Sequence, residues 1–317
     1  MSNFSSVLVA GSANLDFVVR AAHVPAPGET VLGRDFANFP GGKGANQAVA
    51  VARAGGAATQ MLLGLGDDAA ARVLEASLDG AGVRMHIVRA VDVASGVAFV
   101  CLSDSAENAI TVAPGANEKL APEHLPTLAG VSHLLMQLET PIASITAYAR
   151  KAHAANVQVV LNAAPAQALP TELLDAVDVL IVNEGELASI AGAGSVADAL
   201  ERMNVPTVVV TLGSRGCCTW ADGGFRLQPA FKVEALDTTA AGDTFCGVFV
   251  AALNQGQVLS EALRRASAAG ALACTRLGAQ SSIPTAAEID AFLASQSAEP
   301  DIAELNALAT YCGLASP

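Results

Sequence analysis

Residues 179–211 read VLIVNEGELASIAGAGSVADALERMNVPTVVVT. Two apolar runs, Val179–Val182 and Thr207–Thr211, enclose a stretch with the composition of helices. A strand buried on both faces of a parallel sheet reads as an unbroken apolar run, as Val208–Val210 does. Strand, helix and strand in this order form the crossover unit that joins parallel strands. This stretch therefore predicts an α/β fold.

The same alternation of strands and helices continues along the chain. Further strand candidates are Val7–Ala10, Gln60–Leu63, His133–Met136 and Gln158–Leu161. Helix candidates are Ala45–Ala54, Asp68–Leu78, Ile142–Ala155, Gly185–Ile190 and Val196–Met203, with a closing helix near Ala287–Ala294. Because crossovers between parallel strands are right-handed, this order predicts a three-layer, doubly wound, mainly parallel sheet.

Two regions lack helices and alternate apolar with polar residues, from about 17–39 and from about 86–112. Such alternation is typical of strands with one solvated face, so we expect a small second sheet. It would form a lid over a ligand at the carboxyl edge of the main sheet. We therefore expect one α/β domain over residues 1–296, lid included, and a C-terminal extension of unknown role over 297–317.

The composition excludes several classes of protein. Hydrophobic residues make up 52% of the chain and charged residues 15%, which excludes intrinsic disorder. Lys and Arg number 17 against 30 Asp and Glu, for a net charge of −13, which disfavours binding to nucleic acid or an anionic membrane. The uncharged runs are broken by polar residues, and the amino terminus lacks a basic segment. We expect a cytoplasmic protein without membrane spans.

A first glycine-rich segment, GGKGAN at residues 41–46, precedes a helix candidate. Glycine lets the backbone approach a ligand closely, and a helix start presents free amides. The segment is not a Walker A loop, because neither the G-x-x-x-x-G-K spacing nor a Ser or Thr after Lys43 is present. From the residues alone, a ligand loop and an ordinary turn are both open.

A second segment, DTTAAGDTF at residues 237–245, gives a stronger signal. The small residues Ala240, Ala241 and Gly242 would leave backbone N–H groups exposed at a helix start, which predicts an anion hole. Asp243 either caps the helix or acts on a ligand. The small neighbours favour the second role, because a simple cap does not require them.

Eight motifs occur along the chain in a characteristic order. They are NLD from Asn14, PGET from Pro27, GGKGANQAVA from Gly41, QLE from Gln137, NEGE from Asn183, TLGSRG from Thr211, DTTAAGDTF from Asp237 and TRLGAQ from Thr275. Together they resemble the ribokinase family of sugar kinases, from about Val7 to Phe292. The resemblance implies a ribokinase-like fold and ATP-dependent phosphorylation of ribose at its 5-hydroxyl, which yields ribose 5-phosphate.

The resemblance also implies roles for individual residues. The sugar would bind to Asn14, Asp16, Gly42, Lys43, Asn46, Glu139 and Asp243. Asp243 would be the general base, and the amides of Ala240, Ala241, Gly242 and Asp243 would stabilise charge on the transferred phosphoryl group. The nucleotide would bind to Asn183, Thr211, Gly213, Ser214, Arg215, Gly216, Gly242 and Ser267. Ser267 stands where members of the family commonly place His or Asn against adenine, so the base contact is expected to differ.

Two cations are implied as well. Glu186 would act on Mg²⁺ mainly through water, since Mg²⁺ keeps several waters in such sites. An activating K⁺ would bind to Asp237, Thr239, Ala273, Arg276, Gly278 and Ser282, partly through carbonyl oxygens. A purely structural, loop-capping role for Asp237 is the alternative.

Other functions and an assembly remain open at this stage. The substrate could instead be 2-deoxyribose, fructose or a nucleoside such as adenosine, and a non-catalytic sugar-binding module is a further alternative. The exposed edge of a small lid sheet invites pairing with a second copy, so we expect a homodimer formed through the lid.

Overall fold

The computed structural model describes residues 5–103 and 108–315. Its strands are β1 (Ser6–Ala10), β2 (Asn14–Ala21), β3 (Arg34–Gly41), β4 (Thr59–Gly66), β5 (Arg84–Ala90), β6 (Gly96–Ser103), β7 (Asn108–Ala113), β8 (Val131–Met136), β9 (Gln158–Asn162), β10 (Val179–Asn183), β11 (Thr207–Thr211), β12 (Gly216–Ala221) and β13 (Gly224–Pro229). Its helices are α1 (Lys43–Val49), α2 (Ala69–Gly80), α3 (Ile142–Ala154), α4 (Thr171–Leu174), α5 (Glu184–Ala191), α6 (Val196–Arg202), α7 (Ala241–Asn254), α8 (Leu259–Cys274), α9 (Ala286–Ala294) and α10 (Ile302–Cys312). A π-helical turn, Ala50–Ala54, continues α1.

The main sheet has the strand order β13-β12-β11-β10-β9-β8-β1-β4-β5. All neighbours from β11 to β5 pair in parallel, and β12 and β13 extend the sheet as an antiparallel hairpin. The prediction of a doubly wound, mainly parallel sheet is confirmed. No helix in the described part of the chain is both long and apolar enough to cross a membrane.

Alternate residues of the central strands point into two separate hydrophobic clusters. Val7 and Val9 of β1 pack with α1, α2, α7 and α8 on one face. Leu8 and Ala10 of the same strand pack with α3, α5 and α6 on the other. This alternation follows from the two-residue period of a strand and produces the three layers. Helix α10 also contributes to the second cluster, through Leu308 and Cys312, so the C-terminal extension packs against the α/β body.

The small second sheet has the order β3-β2-β6-β7. Its central pair, β2 and β6, is parallel, and its outer pairs are antiparallel. The expectation that lid strands begin near residue 86 is wrong for residues 86–90, because β5 pairs in parallel with β4 at the edge of the main sheet. An edge strand is only half buried, and its mixed pattern therefore looks like that of a lid strand.

Candidate active site

The candidate site lies where the carboxyl ends of the parallel strands meet the starts of α1 and α7. Polar residues follow these strands directly: Ser12 after β1, Gln137 and Glu139 after β8, Asn162 at the end of β9, Asn183 at the end of β10 and Thr211 at the end of β11. The lid strand β2 begins at Asn14 and brings Asp16 to the same region. Open α/β sheets bind their ligands at this edge.

Asp243 is the centre of a buried hydrogen-bond network. It lies in the first turn of α7 with 8% of its surface exposed. The side-chain amide of Asn46 donates to its Oδ2 at 3.0 Å, and that of Gln47 donates to its Oδ1 at 3.0 Å. Gln47 is held in turn by Asn162, whose Oδ1 accepts at 3.0 Å, and by Gln137, which donates to Gln47 Oε1 at 2.5 Å. The carboxylate is therefore fixed in place.

Sequence reasoning missed three members of this network. Gln47, Gln137 and Asn162 lie in the quoted motif segments or at a strand end, but no spacing pointed to an interaction with Asp243. The position of Gln47 directly after Asn46 was the one available signal.

The start of α7 offers backbone donors beside this carboxylate. Ala240 adopts the left-handed conformation, with φ of 58°, and precedes the first turn. The amide of Ala241 donates to the carbonyl of Thr238 at 3.3 Å, so the predicted set of four free amides needs correction at that position. The amides of Gly242 and Asp243 belong to the first turn, whose N–H groups have no acceptor within the helix. A Cβ built on Gly242 would meet no atom within 4 Å, so a ligand can approach there.

Asp16 of the lid faces two other carboxylates. Its pKa is raised from 3.8 to about 7, mainly by burial and also by the negative charges of Glu139 and Asp243. A Cβ on Gly41 would lie 2.1 Å from Asp16 Oδ2, so only glycine at position 41 leaves room for this side chain. The crowded acids form an acceptor-rich pocket under the lid.

Asn14 is held by a residue that the sequence did not single out. The amide of Asn117 donates to Asn14 Oδ1 at 2.8 Å, and Asn117 Oδ1 accepts from the backbone N–H of Ala13 at 3.0 Å. Both side chains are buried. Asn117 lies in a short 3₁₀ turn after the lid, where no motif marked it. It fixes the orientation of the Asn14 side chain.

Glu139 caps the start of α1 from a distant segment. Its Oε2 accepts from the hydroxyl of Ser12 at 2.5 Å and from the amide of Lys43 at 3.1 Å. Gly42, which precedes the helix with φ of 87°, provides no side-chain cap. A carboxylate at a helix start is stabilised by the helix dipole and by the free amides.

Lys43 lies among three acidic side chains. Asp243 is the largest influence and raises the pKa of Lys43, as do Glu139 and Glu186, while burial opposes them. The raised pKa keeps the ammonium group of Lys43 protonated. Lys43 lines a cavity of about 220 Å³ together with Glu186, Gly242 and Asp243.

Asn183 and Glu186 form a capping box at the start of α5. Asn183 Oδ1 accepts from the amide of Glu186 at 2.8 Å, and Glu186 Oε2 accepts from the amide of Asn183 at 2.8 Å. Burial is the main reason that the pKa of Glu186 is raised, and the charge of Lys43 opposes it. A buried carboxylate that faces the same cavity as Asp243 fits a role near Mg²⁺ and phosphate oxygens.

A larger groove of about 510 Å³ continues from this cavity, with which it shares Thr211, Thr238 and Gly242. Its lining includes most residues predicted to bind the nucleotide, namely Thr211, Gly213, Ser214, Gly216, Gly242 and Ser267. Asn183 lines the smaller cavity. Arg215 lines neither of them, because its guanidinium lies 4.1 Å from the ring centre of Tyr311. A contact of Arg215 with the nucleotide therefore stays a prediction.

The loop predicted to hold K⁺ is tied to the segment after α8. Asp237 Oδ1 accepts from the amide of Thr239 at 2.9 Å, and its Oδ2 accepts from the amide of Gly278 at 2.9 Å. The described contacts do not join the other predicted ligands to Asp237: the Ala273 carbonyl accepts from the Arg276 amide, and the Ser282 hydroxyl donates to Ala279. In residues 5–103 and 108–315, no cluster of three His, Cys, Asp or Glu side chains suits a metal.

Comparison with known proteins identifies the family. The model of the pfkB family carbohydrate kinases matches residues 5–286. The chain belongs to this family. Ribokinase from Haemophilus influenzae is 38% identical over 301 residues, and the alignment covers 91% of this chain and 98% of that protein. Ribokinase from Bacillus subtilis is 36% identical, and the alignment covers 91% of this chain and 99% of that protein.

Solved pfkB-family structures agree with this assignment. Ribokinase from Thermotoga maritima superposes with a TM-score of 0.87 at 36% identity, covering 92% of this chain and 100% of that one. An Arabidopsis thaliana ribokinase in complex with ribose and ATP has a TM-score of 0.84 at 31% identity, and the superposition covers 92% of this chain and 99% of that one. The predicted membership of the ribokinase family and the predicted α/β fold with a lid sheet are confirmed.

Proposed function

We propose that this protein is an ATP-dependent ribokinase that transfers a phosphoryl group to the 5-hydroxyl of D-ribose. The ribokinases from Haemophilus influenzae and Bacillus subtilis cover nearly its whole length at 38% and 36% identity, whereas a deoxyribokinase is 30% identical, and one related ribokinase structure holds ribose and ATP. The observation that carries the proposal is the fixed Asp243 carboxylate, at a helix start between the pocket under the lid and the nucleotide-sized groove.

The geometry supports a direct mechanism for phosphoryl transfer. Asp243 accepts the proton of the 5-hydroxyl while the sugar oxygen forms a bond to the γ-phosphorus of ATP, and the bond to the ADP oxygen breaks. The amides of Gly242 and Asp243 and the Lys43 ammonium stabilise the charge on the phosphoryl oxygens. Asn46 and Gln47 hold the base in the required orientation.

The pocket under the lid selects the sugar through acceptors. Asn14, Asp16 and Glu139 surround it, and Gly42, Lys43 and Asn46 complete its predicted lining. A sugar that lacks a matching hydroxyl leaves a buried acceptor unpaired, which costs binding free energy. This favours ribose over 2-deoxyribose.

Two cations complete the proposal. Glu186 and Asn183 would hold Mg²⁺, largely through water, and the ion would neutralise charge on the ATP phosphates. K⁺ would bind beside Asp237 in the loop before α7, where Thr239 and Gly278 are already brought together. A cation at that position supports the loop from which the Gly242 and Asp243 amides project.

Replacement of the base tests the function. Asp243→Asn keeps the shape of the side chain but removes its basicity, so we expect turnover with ribose and ATP to fall by about 10³-fold. Ribose binding, measured by calorimetry without ATP, should change by less than about threefold. Asp175→Asn, an exposed acidic residue at the end of α4, serves as the matched control. Near-normal turnover of Asp243→Asn would contradict the mechanism.

A panel of acceptors tests the substrate. Turnover should be highest with ribose when it is compared with 2-deoxyribose, fructose and adenosine at equal MgATP. A higher kcat/KM with another acceptor would replace ribose in the proposal. Ribose binding without any release of ADP would instead indicate a sugar-binding module.

The lid supports a homodimer as part of the proposal. Phe36 and Phe99 are 67% and 55% exposed and stack with Phe17, whose ring centre lies 5.6 Å from that of Phe99. An apolar surface of this kind on a soluble kinase fits a second copy of the same lid.

A further inference from the structure

Helix α10 lies beyond the pfkB-family match, which ends at residue 286, yet it is firmly packed. Leu308 and Cys312 are buried in the second hydrophobic cluster. Gly313 ends the helix in the left-handed conformation with φ of 85°, and a Cβ there would lie 2.6 Å from Ser195. The helix therefore presents its remaining side chains from a fixed position.

One of these side chains, Tyr311, contacts two separate segments. The guanidinium of Arg215 lies over its ring, 4.1 Å from the centre. Its hydroxyl donates a hydrogen bond to Glu184 Oε1, and this bond raises the pKa of Tyr311. Tyr311 thus joins Arg215 and Glu184 through one rigid ring.

Both contacted segments carry the nucleotide site. Glu184 is the first residue of α5 and directly follows Asn183, which lines the cavity beside Asp243. Arg215 closes the turn Gly213–Arg215, and Gly213 and Ser214 of that turn line the larger groove. The strands before these segments are adjacent, since Asn183 pairs with Thr211. The two loops leave the sheet side by side, and Tyr311 links them on their outer side.

On its outer side the turn is tied to the segment after β13, where the Ala230 amide donates to the Arg215 carbonyl at 3.2 Å. A cavity of about 320 Å³, lined by Ser214, Arg215 and Tyr311 among others, lies beside this contact. A loop that is loosely packed must be ordered when a ligand binds, and this ordering costs affinity. A contact that orders the loop beforehand lowers that cost.

We infer that Tyr311 is a positioning residue, which clamps the Arg215 turn to the start of α5 and so preorganises the groove for ATP. The inference rests on the proposed function, because that function assigns the groove to ATP. The clamp contacts Arg215 and Glu184, whose segments line the groove and the cavity, so we expect it to act on the nucleotide and not on the sugar.

Substitutions at both ends of the hydrogen bond test the clamp in the full-length protein. Affinity for Mg·ADP is measured by calorimetry, and KM for ATP and for ribose by steady-state kinetics. Tyr311→Ala removes both contacts and should weaken Mg·ADP and raise KM for ATP about five- to tenfold. KM for ribose and kcat should stay within about twofold.

A double-mutant cycle separates a clamp from general loss of structure. Tyr311→Phe and Glu184→Ala each remove the same hydrogen bond and should weaken Mg·ADP about two- to threefold, and the double variant no further. Glu184→Gln keeps an acceptor oxygen and should bind as the wild type does. Thr310→Ala, one position earlier on α10, is the control for the helix surface.

The outcomes that overturn the clamp are distinct from failure of the proposed function. Unchanged Mg·ADP affinity in Tyr311→Ala, additive effects in the cycle, or equal rises of both KM values would overturn it. If Tyr311→Ala does not fold, the cycle of Tyr311→Phe and Glu184→Ala gives the same decision. The Mg·ADP titration needs no sugar, so a wild type that binds ADP but does not phosphorylate ribose would contradict only the ribokinase proposal.

Discussion

Asp16 shows how burial changes the chemistry of a single acidic residue. Its carboxyl group lies above Gly41 and faces Glu139 and Asp243, and its pKa is raised to about 7. At neutral pH it is therefore divided between the protonated and the ionised form. An ionised carboxylate is the stronger acceptor for sugar hydroxyls, so we expect the affinity for the sugar to depend on whether Asp16 is protonated.

This predicts a pH dependence of ribose affinity. Because the group is protonated below about pH 7 and ionised above it, the dissociation constant for ribose should fall as the pH rises from 6 to 8. Calorimetry without nucleotide measures it directly. Asp16→Asn should bind more weakly and show a flat profile over this range. A flat profile in the wild type would show that Asp16 does not titrate there.

The same shift predicts an effect on stability. Between pH 4 and 7 the Asp16 carboxyl group ionises in the unfolded chain but stays mostly protonated in the folded protein. Ionisation therefore favours the unfolded chain, and the free energy of unfolding falls as the pH rises from about 4 towards 7. Asp16→Asn should therefore raise Tm at pH 8 and leave it nearly unchanged at pH 4. Thermal unfolding of both proteins at the two pH values measures this difference. An equal change at both pH values would show that burial does not shift this group.

At the scale of elements, the packing of α1 against α7 determines the active site. Asn46 and Gln47 come from α1 and Asp243 from α7, so their hydrogen bonds depend on the spacing of the two helices. That spacing is small at Gly247, where a Cβ would lie 2.5 Å from the Cβ of Ala50 and 2.6 Å from the carbonyl oxygen of Gln47. A glycine is therefore required for this contact.

Gly247→Ala should force the helices apart. We expect a loss of about 1–3 kcal/mol in the free energy of unfolding, as for other overpacked cores, measured by denaturant titration. The change also displaces Gln47 from Asp243. The factor by which kcat falls should therefore exceed the factor by which KM for ATP rises. Gly80→Ala, at the end of α2, meets no atom within 4 Å and is the control. Equal stability of the two variants would contradict the packing argument.

At the scale of the whole molecule, the lid exposes aromatic side chains on a protein of net negative charge. The chain carries a net charge of −13, which disfavours association of most faces of two copies. One face of the lid offers Phe36 and Phe99 instead, both stacked on Phe17. Light scattering at micromolar concentration should therefore detect a dimer, and Phe99→Glu or Phe36→Glu should shift it towards the monomer. Glu118→Gln, outside the lid strands, is the control. A monomeric wild type would contradict the proposal.

The sequence by itself was enough for the α/β class, the family and the edge of the sheet at which the candidate site lies. Apolar runs mark buried parallel strands, and polar motifs such as NEGE from Asn183 and TLGSRG from Thr211 follow them directly. Because parallel strands end at one edge of a sheet, residues at those ends must meet. Local pattern and order along the chain therefore determine where the site lies.

Only the tertiary structure decided which side chains touch. Asp243 is held by Gln47, Asn14 is held by Asn117, and the guanidinium of Arg215 lies over the ring of Tyr311. Likewise β5 joins the main sheet instead of the lid. Each of these contacts joins segments that are distant in the sequence, and they meet only after the crossovers have closed. Spacing along a chain carries no information on such distances, whereas packing of the folded layers determines them.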